Sequence, residues 1–343
     1  MKLREAVYRE YEEQPLKPGQ VRVKVEHASV KHGTEYTAFR GIDPHLENRF
    51  DNELLLFIPD QEIKEKSFFM RPGNMYVGTV CEIGGDVDGA AAGFKVGDRV
   101  AGYGPLRHTQ TSRAGDLMAM PERMSWKEAV CYDPAHFALG GVRDGQVRLG
   151  DSVAVFGLGA IGQLAAQMAR LAGAATVIVC DPIEKRRKVA LANGADVALD
   201  PYAEDAGLAI KQLTGKRGAD VIIEASGSYD AMQAAIRGIA YSCNIAVVDR
   251  YHECQGGLDF GREAHFNRPN LIFSRACSEP NLLYPNWSFQ RLMDTCWDML
   301  SKGLLKCDNI IDPVVPFAES AKAYMDIEQN PSNSIKLGVS YNI

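Results

Sequence analysis

Six residues near the middle of the chain have the types and spacing of a phosphate-binding turn. They are Gly157, Leu158, Gly159, Ala160, Ile161 and Gly162. The first glycine allows a tight turn, the second lets backbone N–H groups approach a pyrophosphate, and the third lets a helix lie close to the preceding strand. Unpaired N–H groups and the dipole at the helix N-terminus favour negative charge. The motif therefore predicts a dinucleotide site.

The segments around this turn support the same interpretation. An apolar run, 153–156, precedes the turn, and a helical pattern, 163–171, follows it. A second strand-like run ends in Asp181, nineteen residues after Gly162. A carboxylate there can accept hydrogen bonds from both ribose hydroxyls and repels a 2′-phosphate. The sequence thus predicts NAD(H) rather than NADP(H), with Arg186 either near the adenine or on a solvated helix face.

Strand-like and helix-like blocks alternate from residue 152 to residue 250, as a doubly wound parallel sheet requires. Two of the later strand-like runs cover 219–224 and 244–248. We extend the predicted cofactor site to the residues at their carboxyl ends. These are Ala225, Ser226, Val248 and Asp249.

The first 120 residues or so have a different pattern. Short alternating runs such as 21–25 and 77–83 lie between glycine and proline turns, which predicts a β-rich barrel. Ser125 and Glu128 have the spacing of a capping box and predict the start of a helix. The run 335–339 predicts a strand that returns to this first domain.

Composition and charge argue against several other classes of protein. The net charge of −6 over 343 residues offers no basic surface for DNA or RNA. No apolar run approaches the roughly 20 residues that span a bilayer, and charges near the N-terminus interrupt any signal-peptide core. The eight cysteines form no CxxC pair, which fits reduced thiols. We expect a cytoplasmic protein that binds neither nucleic acid nor membrane.

Together with three further stretches, these features resemble the medium-chain dehydrogenase/reductase family, closest to its zinc-type polyol and threonine dehydrogenase branch. The stretches are 17–25, 97–101 and 149–153. The resemblance covers nearly the whole chain and implies an α/β protein. It implies a Rossmann domain with a doubly wound parallel sheet that binds NAD(H), residues 133–275. A catalytic, β-rich GroES-like barrel domain would comprise residues 1–132 and 276–343. A homo-oligomer, dimer or tetramer, is also implied.

The resemblance further implies where a catalytic zinc would lie, and this chain departs from that pattern. The family uses a cysteine in Cys-Gly-Ser/Thr-Asp, a histidine and glutamate in Gly-His-Glu, and a carboxylate before a proline. Aligning the glycines gives His32-Gly33-Thr34-Glu35, Gly73-Asn74-Met75 and Asp133-Pro134. The four-cysteine structural lobe is also missing from the sequence. Amide and thioether groups are poor zinc ligands. We therefore predict no metal, with a residual site at His32, Asp133 and Glu35 as the alternative.

Without zinc, side chains must hold the developing alkoxide and accept its proton. The catalytic candidates are His32, Thr34, Lys31, Asp133, Asn74 and Glu35. His32 is the favoured acid/base because an imidazole titrates near neutrality, and Thr34 has the relay hydroxyl position of the family. The plainer alternatives are a polar loop histidine at residue 32 and, for Asp133, a cap on a helix that begins at Pro134.

Several polar side chains favour a polyhydroxylated substrate. The candidate substrate-binding residues are His136, His265 and Asn267. The alternative for the segment that contains His265 and Asn267 is a solvated loop. The segment 43–51 forms either a cover over the cleft or an oligomer contact. A site with matched hydrogen bonds rejects apolar analogues. We predict oxidation of a secondary alcohol of a sugar, polyol or cyclitol, or the reverse reduction.

Two other functions are compatible with the same sequence. One is that of a zinc-independent quinone or enone reductase, against which Asp181 argues because such enzymes usually prefer NADPH. The other is non-catalytic NAD binding by a protein that has lost its metal and its activity. Cofactor preference and turnover distinguish these possibilities from a sugar dehydrogenase.

Overall fold

A computed structural model of the chain describes residues 5–65, 70–85, 93–251, 257–276 and 286–341. The chain forms two compact units, Met1–Glu122 with Ile311–Ile343 (the β-rich unit) and Arg123–Ile310 (the parallel-sheet unit). Residues 123–132 and 276–310 thus belong by contact to the parallel-sheet unit. Contacts do not assign catalysis, so the domain limits derived from the sequence stay a prediction.

The strands are β1 (Gln20–Ser29), β2 (Asn48–Asp51), β3 (Leu56–Pro59), β4 (Met75–Ile83), β5 (Arg99–Tyr103), β6 (Thr109–Arg113), β7 (Met118–Ala119), β8 (Ser152–Phe156), β9 (Thr176–Cys180), β10 (Val197–Leu199), β11 (Ala219–Glu224), β12 (Ile239–Val247), β13 (Asn270–Phe273), β14 (Ile311–Pro316) and β15 (Lys336–Ser340).

The α-helices are α1 (His32–Arg40), α2 (Gln61–Glu65), α3 (Trp126–Val130), α4 (Tyr132–Asp144), α5 (Ala160–Leu171), α6 (Glu184–Ala192), α7 (Ala206–Leu213), α8 (Tyr229–Gly238), α9 (His265–Asn267), α10 (Phe289–Ser301) and α11 (Ser320–Gln329). A π-helical turn, Phe260–Ala264, precedes α9. No helix in the described ranges is long and apolar enough to cross a membrane.

The β-rich unit is built on a seven-stranded mixed sheet. Its strand order is β14-β15-β1-β4-β5-β7, with β6 also paired to β1. Alternate residues of β1, Val21, Val23 and Val25, are buried, as the period-two pattern of a one-sided strand predicts. The predicted return of the chain is confirmed, because β15 pairs antiparallel with the end of β1.

A second apolar cluster of the β-rich unit supports the candidate catalytic segment. Helix α1 contributes Tyr36 and Phe39, helix α11 contributes Tyr324 and Ile327, and β15 contributes Leu337 and Val339. The segment around His32, for which the sequence suggests a loop, is a helix because of this packing. His32 is the first residue of that helix and is not a loop residue.

The parallel-sheet unit has six parallel strands in the order β10-β9-β8-β11-β12-β13. The predicted fold class, a Rossmann doubly wound sheet with a β-rich GroES-like domain, is confirmed by this topology. Strand order reverses between β8 and β11, and ligands of such sheets bind at the carboxyl ends of the strands on either side of this point.

A local sequence signal correctly predicts the start of one helix of this unit. Ser125 accepts a hydrogen bond from the Glu128 N–H, and the Glu128 side chain accepts one from the Ser125 N–H, so the predicted capping box begins α3. Asp133, however, does not cap a helix at Pro134, because α4 already begins at Tyr132. The cysteines in the described ranges are free thiols, and Cys254 and Cys277 lie outside those ranges.

Candidate active site

The glycine motif forms the turn between β8 and α5. Gly157 has a φ of +81°, and a β-carbon on it would lie 2.7 Å from the Ser226 backbone. A β-carbon on Gly162 would overlap the carbonyl oxygen of Gly157, so that position requires glycine for helix–strand packing. Gly159 is the N-cap of α5, and nothing lies within 4 Å of its β-carbon position. The turn therefore presents an open helix N-terminus suited to a pyrophosphate.

Asp181, at the end of β9, is joined to this turn through its carboxylate. One oxygen accepts a hydrogen bond from the Leu158 N–H at 2.7 Å, and the other accepts from the Ile183 N–H at 2.8 Å. Asp181 is only 3% exposed, and the Arg186 guanidinium lies 3.8 Å from the same oxygen that binds Leu158. Asp181 thus holds the turn in place, and its role toward a ribose stays a prediction.

The residues after β11 and β12 meet at the same edge of the sheet. The Val248 N–H donates to the Glu224 carbonyl oxygen at 2.8 Å, and the Ala225 N–H donates to the carbonyl oxygen of Phe156 in β8 at 2.9 Å. A β-carbon on Gly227 would lie 3.1 Å from the Asp249 carboxylate. The structure thereby brings the predicted residues 225–226 and 248–249 together at the carboxyl ends of the central strands.

Glu224, the last residue of β11, organises this edge and is absent from the sequence-derived predictions. Its carboxylate accepts hydrogen bonds from the Ser226 N–H at 2.8 Å, from the Ser226 hydroxyl, and from the Tyr251 hydroxyl at 2.5 Å. Burial raises the pKa of Glu224, while these hydrogen bonds oppose the rise. The sequence signal that could have identified Glu224 is a carboxylate at the end of a strand of apolar residues.

His32 and its neighbours lie in the β-rich unit. The His32 imidazole stacks on the Tyr36 ring with centroids 5.2 Å apart and planes 4° apart, and the Tyr36 hydroxyl donates to the Tyr324 carbonyl oxygen at 2.8 Å. Thr34 is exposed, and Lys31 is partly buried. The imidazole is therefore held by an aromatic contact one helical turn along α1.

Asn74 lies between two elements of the same unit. Its N–H donates to the Ser29 carbonyl oxygen at 2.9 Å, and its carbonyl oxygen accepts from the Gly104 N–H at 3.0 Å. The buried side-chain oxygen Oδ1 of Asn74 has no hydrogen-bond partner within the described part of the chain. Because such an atom is costly to leave unpaired, a donor supplied by substrate or water fits there.

Asp133 and His136 lie one turn apart on α4, in the parallel-sheet unit, and both are buried. The His136 ring meets the edge of Tyr132 at 4.1 Å and of Phe289 at 6.0 Å between centroids. The aromatic surroundings of His136 are a feature that sequence spacing does not reveal, because Phe289 belongs to α10.

His265 and Asn267 are placed elsewhere. The Asn267 amide donates to the carbonyl oxygen of Ile236, near the C-terminus of α8, and both residues precede the first residue of β13. In a parallel sheet this is the amino-terminal edge, opposite the glycine turn. The structure therefore does not bring His265 and Asn267 to the predicted cofactor residues, and their substrate role stays a prediction.

Two of the positions aligned with the family's zinc ligands carry side chains that bind zinc poorly. Met75 is fully buried in β4, where its thioether belongs to the core, and Asn74 offers only an amide. Across the described residues, no three His, Cys, Asp or Glu side chains group together as metal ligands. The absence of a catalytic zinc stays a prediction.

Comparisons with known proteins agree with this architecture. A family profile for zinc-binding dehydrogenases matches residues 160–289. The chain is also 48% identical over 341 residues to D-guloside 3-dehydrogenase of Escherichia coli K12. The aligned region covers 97% of this chain and 96% of the relative. The chain belongs to the zinc-type alcohol and polyol dehydrogenase-like branch of the medium-chain dehydrogenase/reductase family.

Solved structures of other dehydrogenases share the fold of this family member. A zinc-binding dehydrogenase of Sinorhizobium meliloti 1021 bound to NADP has a TM-score of 0.69 at 19% identity, covering 95% of this chain and 93% of its own. An alcohol dehydrogenase of E. coli CFT073 complexed with NADH has a TM-score of 0.70 at 20% identity, covering 96% and 94%. The chain thus shares the fold of two dehydrogenases whose structures contain nicotinamide cofactors.

Proposed function

We propose that this dehydrogenase uses NAD(H) to oxidise a secondary alcohol of a sugar or polyol, or to reduce the ketone, without a catalytic zinc. The observation that carries the proposal is the near-full-length similarity to a protein named D-guloside 3-dehydrogenase. The substrate class that follows is a hexoside whose secondary ring hydroxyl becomes a ketone.

The cofactor would be held by the edge of the parallel sheet. The N-terminus of α5 would bind the pyrophosphate, Asp181 would accept hydrogen bonds from the adenosine ribose, and residues 225–226 and 248–249 would line the nicotinamide half. When bound, nicotinamide supplies the hydride acceptor. The Asp181 charge supports NAD(H), because it repels the 2′-phosphate of NADP(H).

The remaining chemistry belongs to side chains of this chain. As hydride leaves the carbinol carbon, the hydroxyl proton passes to neutral His32, directly or through the exposed Thr34 hydroxyl. Asn74 would donate its amide N–H groups to the substrate oxygen or accept from a neighbouring hydroxyl through the unpaired Oδ1. Asp133 and Lys31 are proposed to orient substrate hydroxyls. In the reverse direction protonated His32 returns the proton to the ketone oxygen.

A substrate panel tests this function. Purified protein is assayed by NADH absorbance with alkyl hexosides, free sugars, polyols and cyclitols, and with simple alcohols and quinones as controls, using NAD⁺ and NADP⁺ in parallel. We expect turnover of a hexoside or polyol with NAD⁺ preferred. Activity only on simple alcohols or quinones contradicts the substrate class, and NAD⁺ binding without turnover of any compound favours a non-catalytic protein.

Metal independence needs a separate measurement. We expect elemental analysis to find less than stoichiometric zinc and the activity to survive dialysis against a chelator. Stoichiometric zinc, together with activity that is lost on chelation and restored by zinc, contradicts this part of the proposal. Asp181→Asn tests the cofactor preference, since the kcat/KM ratio of NAD⁺ to NADP⁺ should fall at least about tenfold once the charge is gone.

A further inference from the structure

Two oppositely charged side chains, Glu35 and Lys336, are buried together in the β-rich unit. Glu35 is 6% exposed and Lys336 is 4% exposed. Charged groups are rarely buried unless they are paired and hydrogen-bonded, because their transfer from water is expensive. The contacts of each group therefore indicate what the burial accomplishes.

The carboxylate of Glu35 joins two segments that are 38 residues apart. Its oxygen Oε1 accepts hydrogen bonds from the Lys31 N–H at 2.7 Å and from the Gly73 N–H at 3.2 Å. Lys31 directly precedes His32, and Gly73 directly precedes Asn74. One oxygen atom thus links the backbone next to both candidate catalytic residues.

Lys336 holds the other side of the same segment. Its ammonium donates to the Val30 carbonyl oxygen at 2.7 Å, one residue before Lys31. Its charge also opposes the effect of burial on Glu35, since burial raises the pKa of that carboxyl while Lys336 lowers it. Glu35 and Lys336 therefore bind the N–H and the C=O of the same peptide group, the one that joins Val30 to Lys31 directly before α1.

The surrounding backbone restricts how the N–H groups of Lys31 and Gly73 can be placed. The Lys31 side chain makes no capping hydrogen bond at the N-terminus of α1, and the Glu35 carboxylate accepts from the Lys31 N–H group. Gly73 has a φ of +131°, and a β-carbon there would overlap the backbone of residues 105 and 106. The N–H of Gly73 is therefore presented by a segment that cannot readily adopt another shape.

We propose that Glu35 and Lys336 are positioning residues, which keep the imidazole of His32 and the amide of Asn74 in one fixed arrangement through the backbone of residues 30–31 and 73. The proposal rests on the proposed function of that site. Glu35 acts through its two N–H donors and does not touch the substrate. Removing the carboxylate takes away the acceptor that the Lys31 and Gly73 N–H groups share.

The experiment compares Glu35→Ala, Glu35→Gln and Lys336→Met in the full-length protein. Glutamine keeps an acceptor for the two N–H groups and loses the charge, whereas alanine loses both. We expect kcat to fall about 10²-fold in Glu35→Ala, the loss typical of a displaced catalytic group. For the same reason, kcat should fall about threefold in Glu35→Gln and about tenfold in Lys336→Met.

Two readouts separate positioning from general stability. Tyr76→Phe removes a buried hydroxyl contact with Ser112 in the same unit, so it should lower the melting temperature without changing kcat or KM. The NAD⁺ dissociation constant should stay within about twofold in all variants, because their residues lie in the β-rich unit. A purely structural role of Glu35 would reproduce the Tyr76→Phe pattern and would overturn the proposal.

A third readout does not depend on turnover. The NMR resonance of the His32 ring is assigned by its loss in His32→Gln. Its chemical shift should change in Glu35→Ala and change by a smaller amount in Glu35→Gln, while the chemical shift of the exposed His45 ring stays the same. Should no sugar or polyol be turned over, the proposed function fails and this spectrum still decides the positioning role. An unmoved His32 resonance in folded Glu35→Ala overturns it; if that variant does not fold, an unmoved resonance in Glu35→Gln does so.

Discussion

At the scale of single residues, His32 combines two features that suit a proton acceptor. It begins α1, and its ring is stacked on Tyr36, whose hydroxyl is itself held by the Tyr324 carbonyl oxygen. Two successive contacts therefore limit the motion of the imidazole. A side chain so fixed loses little entropy when a substrate hydroxyl approaches, which is the condition for efficient proton transfer.

Replacing His32 by glutamine should remove the proton acceptor and retain the fold. We expect kcat/KM for alcohol oxidation to fall about 10²- to 10⁴-fold, with NAD⁺ affinity unchanged. In the wild type kcat/KM should rise with pH, because only the neutral ring accepts a proton, and this rise should disappear in the variant. His45→Gln, at an exposed position, is the control. Equal pH profiles for the wild type and His32→Gln would exclude His32 as the base.

At the scale of elements, the β8–turn–α5 unit shows that three similar glycines perform different tasks. Gly157 and Gly162 are required by close backbone contacts, and Gly159 faces open space. The sequence motif predicts all three roles, because the roles follow from local geometry. The structure adds that Asp181 holds the turn through the Leu158 N–H.

Two alanine substitutions in this turn should separate stability from cofactor binding. Gly162→Ala forces a β-carbon onto the Gly157 carbonyl oxygen and should destabilise the protein by about 2–3 kcal/mol in denaturant unfolding. Gly159→Ala has room for its methyl group and should change stability by less than about 1 kcal/mol, yet weaken NADH binding measured by fluorescence titration. Reversed effects of the two variants would contradict this assignment.

The edge formed by β11 and β12 depends on the protonation of Glu224. Burial raises its pKa above the ordinary value of 4.5, so the folded state binds this proton more tightly than the unfolded state does. The stabilisation is complete below pH 4.5 and is lost as pH rises through the folded-state pKa. We therefore expect the free energy of unfolding of the wild type to decrease as the pH rises through this range.

Glu224→Gln is the matched variant for that prediction. Glutamine offers an oxygen to the Ser226 N–H and an amide N–H to the Tyr251 hydroxyl, and it does not ionise. Unfolding by denaturant at a series of pH values should therefore show less loss of stability with rising pH in Glu224→Gln than in the wild type. Parallel curves for the two proteins would show that Glu224 does not titrate differently on folding.

At the scale of the whole molecule, the edge strand β13 is the surface that we expect another subunit to cover. Among the described residues β13 ends the sheet and pairs with β12 alone, and Phe273 at its end is 78% exposed. A strand at the edge of a sheet can pair with a second copy. We propose a homo-oligomer, so Phe273→Asp should shift the mass measured by light scattering toward the monomer. Tyr202→Ser, at another highly exposed position, should leave the mass unchanged. A monomeric wild type would contradict the proposal.

The sequence alone determined the features that follow from short-range rules. Strand and helix periods predicted the doubly wound sheet, and the spacing from Gly162 to Asp181 predicted a cofactor edge whose residues the structure brings together. Glycine positions also led to the prediction that the zinc ligands of the family are replaced, because aligned motifs are local in sequence. These rules involve residues within one turn, one strand or one helix.

Only the tertiary structure decided how distant residues combine. Glu35 meets Gly73 across 38 residues, Lys336 meets Val30 across 306, and Glu224 meets Tyr251 across 27. It also turned the His32 segment into a helix and placed His265 and Asn267 at the edge opposite the glycine turn. Such outcomes depend on which apolar faces are buried against each other, and that balance is a property of the folded chain rather than of any local pattern.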